Sequence, residues 1–238
     1  QPHHVDALAY GGYLTSRVET ALAQHRLSPE IREPRLSPPN SRRRASLRAL
    51  RVGQGAVVGF NAAKSHRIVD MLENHILRPE LLEVVAPLRE LLAALLRPKR
   101  TAEVQLTLVD QGVDLMLKGV EPEGLEAMEA LTAFCEGNRL ARLSIDQGLG
   151  AETLYEPVPA TITLSGIPVV FHVGAFVQAT EDGEEALVTC VREAVGEARR
   201  IADLFAGLGT LALALRGKVY AAEAWRDAVL ALKRSAPA

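Results

Sequence analysis

Cysteine is almost missing from this sequence, with only Cys135 and Cys190 among 238 residues. Two thiols cannot build a disulfide framework or a cysteine-ligated cluster, and their scarcity suits a reducing cytoplasm. Both stand in helix-like text and read as small apolar core residues. Charge of one sign is missing too: the formal net charge is −2, so affinity for nucleic acid has to come from a local patch. No stretch reaches the roughly 18 apolar residues of a membrane span, and no signal-peptide pattern opens the chain. An initiating methionine is absent; the chain begins at Gln1 and reads as a fragment or a processed product. His3 and His4 make no metal site, because adjacent side chains point in different directions and no carboxylate or cysteine stands near them. What is present is 48% hydrophobic content, ample for a buried core in one large domain or two smaller ones.

The pattern changes twice along the chain. Residues 5–27 carry apolar positions at helical spacing, interrupted by Gly11 and Gly12, and predict a helix with a weak start. The Pro- and Ser-rich "SPEIREPRLSPPNSRRR" is an irregular connector. The stretches "RASLRALRV", "GAVVGFNA" and "HRIVDML" predict three antiparallel strands. A helix follows, with Pro79 near its start and Pro98 past its end. Then comes a hairpin turning at "DQG", a second helix at "EPEGLEAMEALTAFCEGN", and the strands "LARLSID", "ETLYEP", "ATITLSG" and "IPVVFHV". Beyond "GAFVQAT", helix and strand alternate: a helix from Asp182 to Arg199, the strand "RIADLF", a helix from Thr210, the strand "KVYAAE" and a helix from Ala224. Strict alternation predicts a parallel sheet. The expected organisation is an N-terminal helix and connector (1–35), an α+β central domain (36–170) and the start of an α/β domain (171–238).

The stretch "DLFAGLGTLALALRGKVYAAE" carries the chemistry. Gly207 and Gly209 let the backbone pass close to a ligand, and the turn presents free N–H groups towards it. Gly207, Gly209 and Ala212 also satisfy a loose dinucleotide pattern, with Glu223 placed for ribose hydroxyls. Asp203 weighs against that reading, because a carboxylate there would face a pyrophosphate across a short distance. S-adenosyl-L-methionine, cationic and free of phosphate, suits an acidic residue before the turn. A dinucleotide, or a structural turn without ligand, stays open on spacing alone. Trp225 would flank an adenine or simply pack. Arg42, Arg43 and Arg44 open a basic segment that either meets an RNA phosphate track or blunts an edge strand.

These residues resemble the RNA uracil-5 methyltransferases. "DLFAGLGTLALAL…VYAAE", preceded by Phe176 and Gln178 of "GAFVQAT", is similar to the family's cofactor motifs. "SRRRASLRALR…AVVGFNAAKSHRIVDMLENHIL" resembles its central domain. The resemblance implies a Rossmann-like methyltransferase domain, here incomplete, after the α+β domain. It implies that Gln178, Phe205, Thr210 and Glu223 line an S-adenosyl-L-methionine pocket shaped by Asp203, Gly207 and Gly209. It also implies that Arg42, Arg43 and Arg44 face RNA, either 23S rRNA or tRNA.

In such enzymes a cysteine thiolate adds to C6 of uridine, C5 takes the methyl group, and a base removes the C5 proton. The uridine must leave its stack to be reached. Three departures qualify the likeness. Asn74 stands where some members carry an iron–sulfur ligand, so neither a cluster nor another metal is expected. The N-terminal β-barrel of several members has no counterpart here. The family's nucleophilic cysteine, Asp-Pro-Pro loop and base follow the cofactor motifs, and the sequence stops at Ala238 before any of them. No catalytic residue is therefore assigned, and the chain by itself is expected to be inactive. Two competing readings are a non-catalytic RNA-binding relative and a dinucleotide-dependent oxidoreductase.

Overall fold

Alternating apolar residues along "RASLRALRV" build the centre of the fold in the computed structural model, which describes residues 6–236. His3 and His4 lie outside the described residues. The chain divides into two compact units, one ending at Pro38 and the other beginning at Pro39.

The first unit is helix α1 (Ala7–Gln24), started by the Asp6 carboxylate, which accepts the Ala9 N–H at 2.9 Å. The expected weak start does not interrupt it, and the helix runs through both glycines. Gly11 is buried where a Cβ would meet Pro34 at 3.3 Å, so the following segment packs on the helix at that point.

The second unit is built on a seven-stranded sheet ordered β3-β2-β1-β4-β5-β6-β7. Strands β1 (Arg44–Val52), β2 (Gly55–Asn61) and β3 (Ile68–Asp70) form the expected antiparallel meander. Strands β4 (Thr101–Val109) and β5 (Gly112–Lys118) form the expected hairpin. β5 then runs parallel to β6 (Arg142–Asp146) through the crossover helix α3 (Gly124–Gly137), and β7 (Ala151–Tyr155) closes the sheet antiparallel to β6. Helix α2 (Pro79–Leu95) and α3 cover one face. Leu47, Val58, Val104, Leu106, Leu115 and Leu143 from the strands meet Leu81, Leu88 and Leu92 of α2 and Leu131 of α3 in one core. Each such leucine contributes about 1.5–3 kcal/mol by leaving water. On the other face Arg44, Ser46 and Arg48 alternate with these core positions and pair with Thr107, Gln105 and Glu103 of β4.

A second, smaller core carries the glycine turn. The hairpin β8 (Thr161–Leu164) and β9 (Ile167–Val170) contributes Ile162, Leu164 and Val169, which pack with Phe171, Ala175, Val177, Leu208, Ala228 and Ala231. Helix α4 (Glu181–Val195) starts at Thr180, whose hydroxyl accepts the Gly183 N–H, and ends at Gly196 with φ +54°. Strands β10 (Arg200–Leu204) and β11 (Lys218–Ala222) pair in parallel, as alternation predicts, and α5 (Arg226–Ser235) follows.

The helix expected from Thr210 does not form; residues 207–214 wind as consecutive turns. Their bonds mix two spacings, Gly209 N–H to Ala206 O and Leu213 N–H to Gly209 O. A segment this short is marginal as a helix, and Gly209 at φ +96° breaks its register.

Candidate functional site

The end of β10 delivers the chain into a strained turn. Phe205 sits at φ +62° with its side chain 89% exposed, and Gly207 and Gly209 follow at φ +56° and +96°. A non-glycine residue held there costs on the order of 1–2 kcal/mol, and such strain concentrates at functional positions. Gly209 is locked by neighbours: a Cβ on it would lie 2.5 Å from Leu232 Cδ1 of α5 and 3.1 Å from Leu213 Cγ.

Asp203 and Glu223, which end the two parallel strands, behave in opposite ways. Desolvation pushes the Asp203 carboxyl above the usual carboxylate range, an effect that the Ala212 N–H partly offsets, and its Oδ2 is buried without a partner. Glu223 is saturated: Oε2 accepts the Gly207 N–H at 2.8 Å, and Oε1 accepts Ala224 and Trp225 N–H at 2.7 and 2.9 Å. These backbone bonds, that of Trp225 foremost, hold its carboxyl below the ordinary range. A depressed pKa stabilises above the unfolded value of about 4.3 and loses that contribution as pH falls through the lower folded value. Acidification is therefore expected to release Gly207, seen as a shift of its amide resonance that Glu223→Gln abolishes. A Gly207 resonance unmoved down to the acid limit of folding would contradict this.

Gln178 reaches the site through a clamp. The buried Arg43 donates from Nε to the Gln178 carbonyl at 3.1 Å and from Nη2 to Glu184 at 2.7 Å, and its N–H donates to Ala179 O. Only 2% of Arg43 is exposed, so this member of the expected RNA-facing trio is corrected to a packing role. Its charge is already consumed where no phosphate can approach. Arg42 and Arg44 remain half-buried, with Arg42 Nε donating to Arg44 O. The Arg44 guanidinium lies 4.4 Å from the ring centre of Phe176, which is 60% exposed. A cavity of about 710 Å³ lies beside the Arg43–Glu184 pair, lined also by Asp110, Thr163 and Glu181, and it includes no residue of the glycine turn.

Thr210 is half-buried in the turn. The structure thus joins Asp203, Phe205, Gly207, Gly209, Thr210 and Glu223 in one strand–turn–strand unit. Gln178 belongs to the loop that Arg43 clamps to β1. Asn74 builds a turn, its Oδ1 accepting the Ile76 and Leu77 N–H groups. Among the described residues no cluster of three or more His, Cys, Asp or Glu could hold a metal, and no helix is long and apolar enough to cross a membrane.

Sequence reasoning missed two features. Arg142 is buried and bridges Asp114 and the Phe171 carbonyl, both at 2.7 Å. His172 is set edge-on against Trp225, with ring centres 4.1 Å apart. The adjacency of His172 to the Phe-x-Gln element was the one available signal.

A mixed sheet followed by a parallel strand pair with a glycine turn defines an α/β fold of the nucleotide-handling kind, and comparison narrows it. No protein-family model matches the chain. It is 47% identical over 236 residues to a Zymomonas mobilis protein named as an RNA methyltransferase, covering 98% of this chain and 59% of that protein. A Rhizobium meliloti protein so named is 34% identical over 232 residues, covering 97% and 55%. The 23S rRNA (uracil(1939)-C(5))-methyltransferase RlmD of Bordetella avium is 29% identical over 211 residues, covering 79% and 43%. In fold the chain is similar to the crystal structure of the Pyrococcus abyssi tRNA (uracil-54, C5)-methyltransferase in complex with S-adenosyl-L-homocysteine. The TM-score there is 0.71 at 16% identity, covering 97% of this chain and 60% of that one. By sequence, then, this chain is a relative of the RNA methyltransferases, and it spans a little over half the length of the first two curated relatives named here.

Proposed function

We propose that the chain binds S-adenosyl-L-methionine at the 203–210 turn, as the cofactor-holding and RNA-facing part of a methyltransferase acting on C5 of a uridine in 23S rRNA or tRNA. One observation carries the cofactor reading. Asp203 Oδ2 is buried without a partner just before two positive-φ glycines, and an orphaned carboxylate oxygen there calls for a cation. The names of the relatives support the substrate class. When bound, the cofactor supplies an electrophilic methyl group on its sulfonium. The chain's own residues present Asp203 to the positive charge, Gly207 and Gly209 to close approach, and the Gln178 loop at the fixed height that Arg43 sets. Residues 171–238 are the start of the cofactor-binding domain, and 36–170 form the central domain. Arg44 and Arg48, on one open sheet face, are the arginines available to RNA.

A raised folded pKa means that folding disfavours the ionised form of Asp203, a penalty present above the folded pKa and absent below it. Asp203→Asn is therefore expected to leave the melting temperature unchanged or higher, while affinity for S-adenosylmethionine falls about tenfold or more by calorimetry. A dinucleotide site predicts the reverse, with NAD bound and Asp203→Asn tolerated, and that result would sink the proposal.

A second reading, an RNA-binding relative without methyl transfer, is favoured by the state of Cys135. The residue is fully buried, and desolvation pushes its thiol up to about 12, far from a nucleophile's range. Transfer of labelled methyl from S-adenosylmethionine to tRNA or rRNA fragments separates the two readings.

A further inference from the structure

We propose that His172 and Trp225 form a corner that reads the purine of an adenosine-bearing ligand, an assignment that rests on the reading of the 203–210 turn as a cofactor site. Both ring nitrogens of His172 are buried, and neither has a hydrogen-bond partner. Buried polar atoms in folded proteins are nearly always paired, so an imidazole lacking both partners marks a place where a ligand completes the bonding. A neutral imidazole offers one donor and one acceptor. That pair complements the edge of adenine, where an exocyclic amine stands beside a ring nitrogen.

The corner is tied to the turn by one carboxylate. Glu223 Oε2 holds the Gly207 N–H while Oε1 holds the Trp225 N–H, so the indole is registered to the glycines. The indole seals the imidazole edge-on, yet 45% of Trp225 is exposed. It can swing from the imidazole to stack on the face of a purine that takes its place.

Charged groups around the ring pull both ways. Asp227 of α5 and Glu223 favour the protonated ring, Arg142 of β6 opposes it, and desolvation, the largest effect, keeps His172 below its ordinary pKa. The imidazole is therefore neutral at pH 7. A ligand that uses its acceptor nitrogen binds the neutral form, so by linkage it must lower the pKa further.

Trp225 is the chain's single tryptophan, so its emission reports directly on the corner. With wild-type protein, emission is expected to titrate with a midpoint below the ordinary histidine range, because an imidazolium quenches indole. Saturating S-adenosylhomocysteine should move that midpoint lower. His172→Phe should bind both S-adenosylhomocysteine and adenosine about tenfold or more weakly, with far-UV dichroism unchanged. His172→Gln, which restores a donor and an acceptor, should recover part of the loss. If wild type binds and its midpoint does not move, or if His172→Phe binds as tightly, the purine corner is overturned and the cofactor reading stands. If wild type binds neither probe, both fail. Because the midpoint shift is read on wild-type protein, an unfolded variant leaves the decision intact.

Discussion

Glu184→Ala is expected to lower the unfolding free energy by about 3–5 kcal/mol, the cost of stranding one member of a buried ion pair. The side chains of Arg43 and Glu184 are 3% and 11% exposed and meet at 2.7 Å. Removing the carboxylate leaves a guanidinium that can neither reach water nor give up its proton. It would still donate to the Gln178 carbonyl, so the strain falls on the loop that carries Gln178. The double variant Arg43→Met/Glu184→Leu should recover much of the loss, because apolar side chains of similar volume replace the pair without stranding a charge. Urea denaturation reads both results as midpoint shifts at constant slope. A loss under about 1 kcal/mol would mean that the pair behaves as a surface salt bridge, and the clamp on Gln178 would fall with it.

Gly209→Ala should cost about 2–4 kcal/mol and abolish cofactor binding, combining a backbone angle that L-residues avoid with overpacking against α5. Leu232 Cδ1, 2.5 Å from the added Cβ, belongs to a residue only 8% exposed. Its retreat would disturb the core it shares with Ala228 and Ala231. Gly207→Ala is the control. Its φ of +56° is strained for alanine, but nothing lies within 4 Å of the added atom, so the left-handed penalty of about 1–2 kcal/mol is all it incurs. Thermal melts and S-adenosylhomocysteine titrations of the two variants give the comparison. Equal damage from both would show that contact with α5 is not what shapes the turn.

The difference between those two glycines was invisible in the sequence, where each stands in the same motif. Local periodicity was legible: alternation along β1, β2 and β4 and the Asp110-Gln111 turn predicted the meander and the hairpin, and strand–helix alternation predicted the parallel pairing of β10 with β11. Partners far apart in the chain were not legible. Nothing near Arg43 announces a carboxylate 141 residues later, because that bond exists only once α4 packs beside β1. Nor does period alone reveal that β5 and β6 pair in parallel, joining strands that read as separate groups into one seven-stranded sheet. The absent helix after Thr210 has a similar cause. An Ala/Leu-rich stretch favours helix locally, but eight residues between a positive-φ glycine and a strand leave no length for one.

The paired strands β10 and β11 stand as a sheet of two among the described residues, with Leu204 63% and Tyr220 70% exposed. Parallel pairs ordinarily lie covered on both faces, and an open edge is a template for another strand. Colloidal behaviour and ligand affinity are therefore two readings of one event: whatever covers this ribbon removes its sticky edge and builds a wall beside the turn at Gly207. Concentrated solutions of the chain should self-associate through the ribbon.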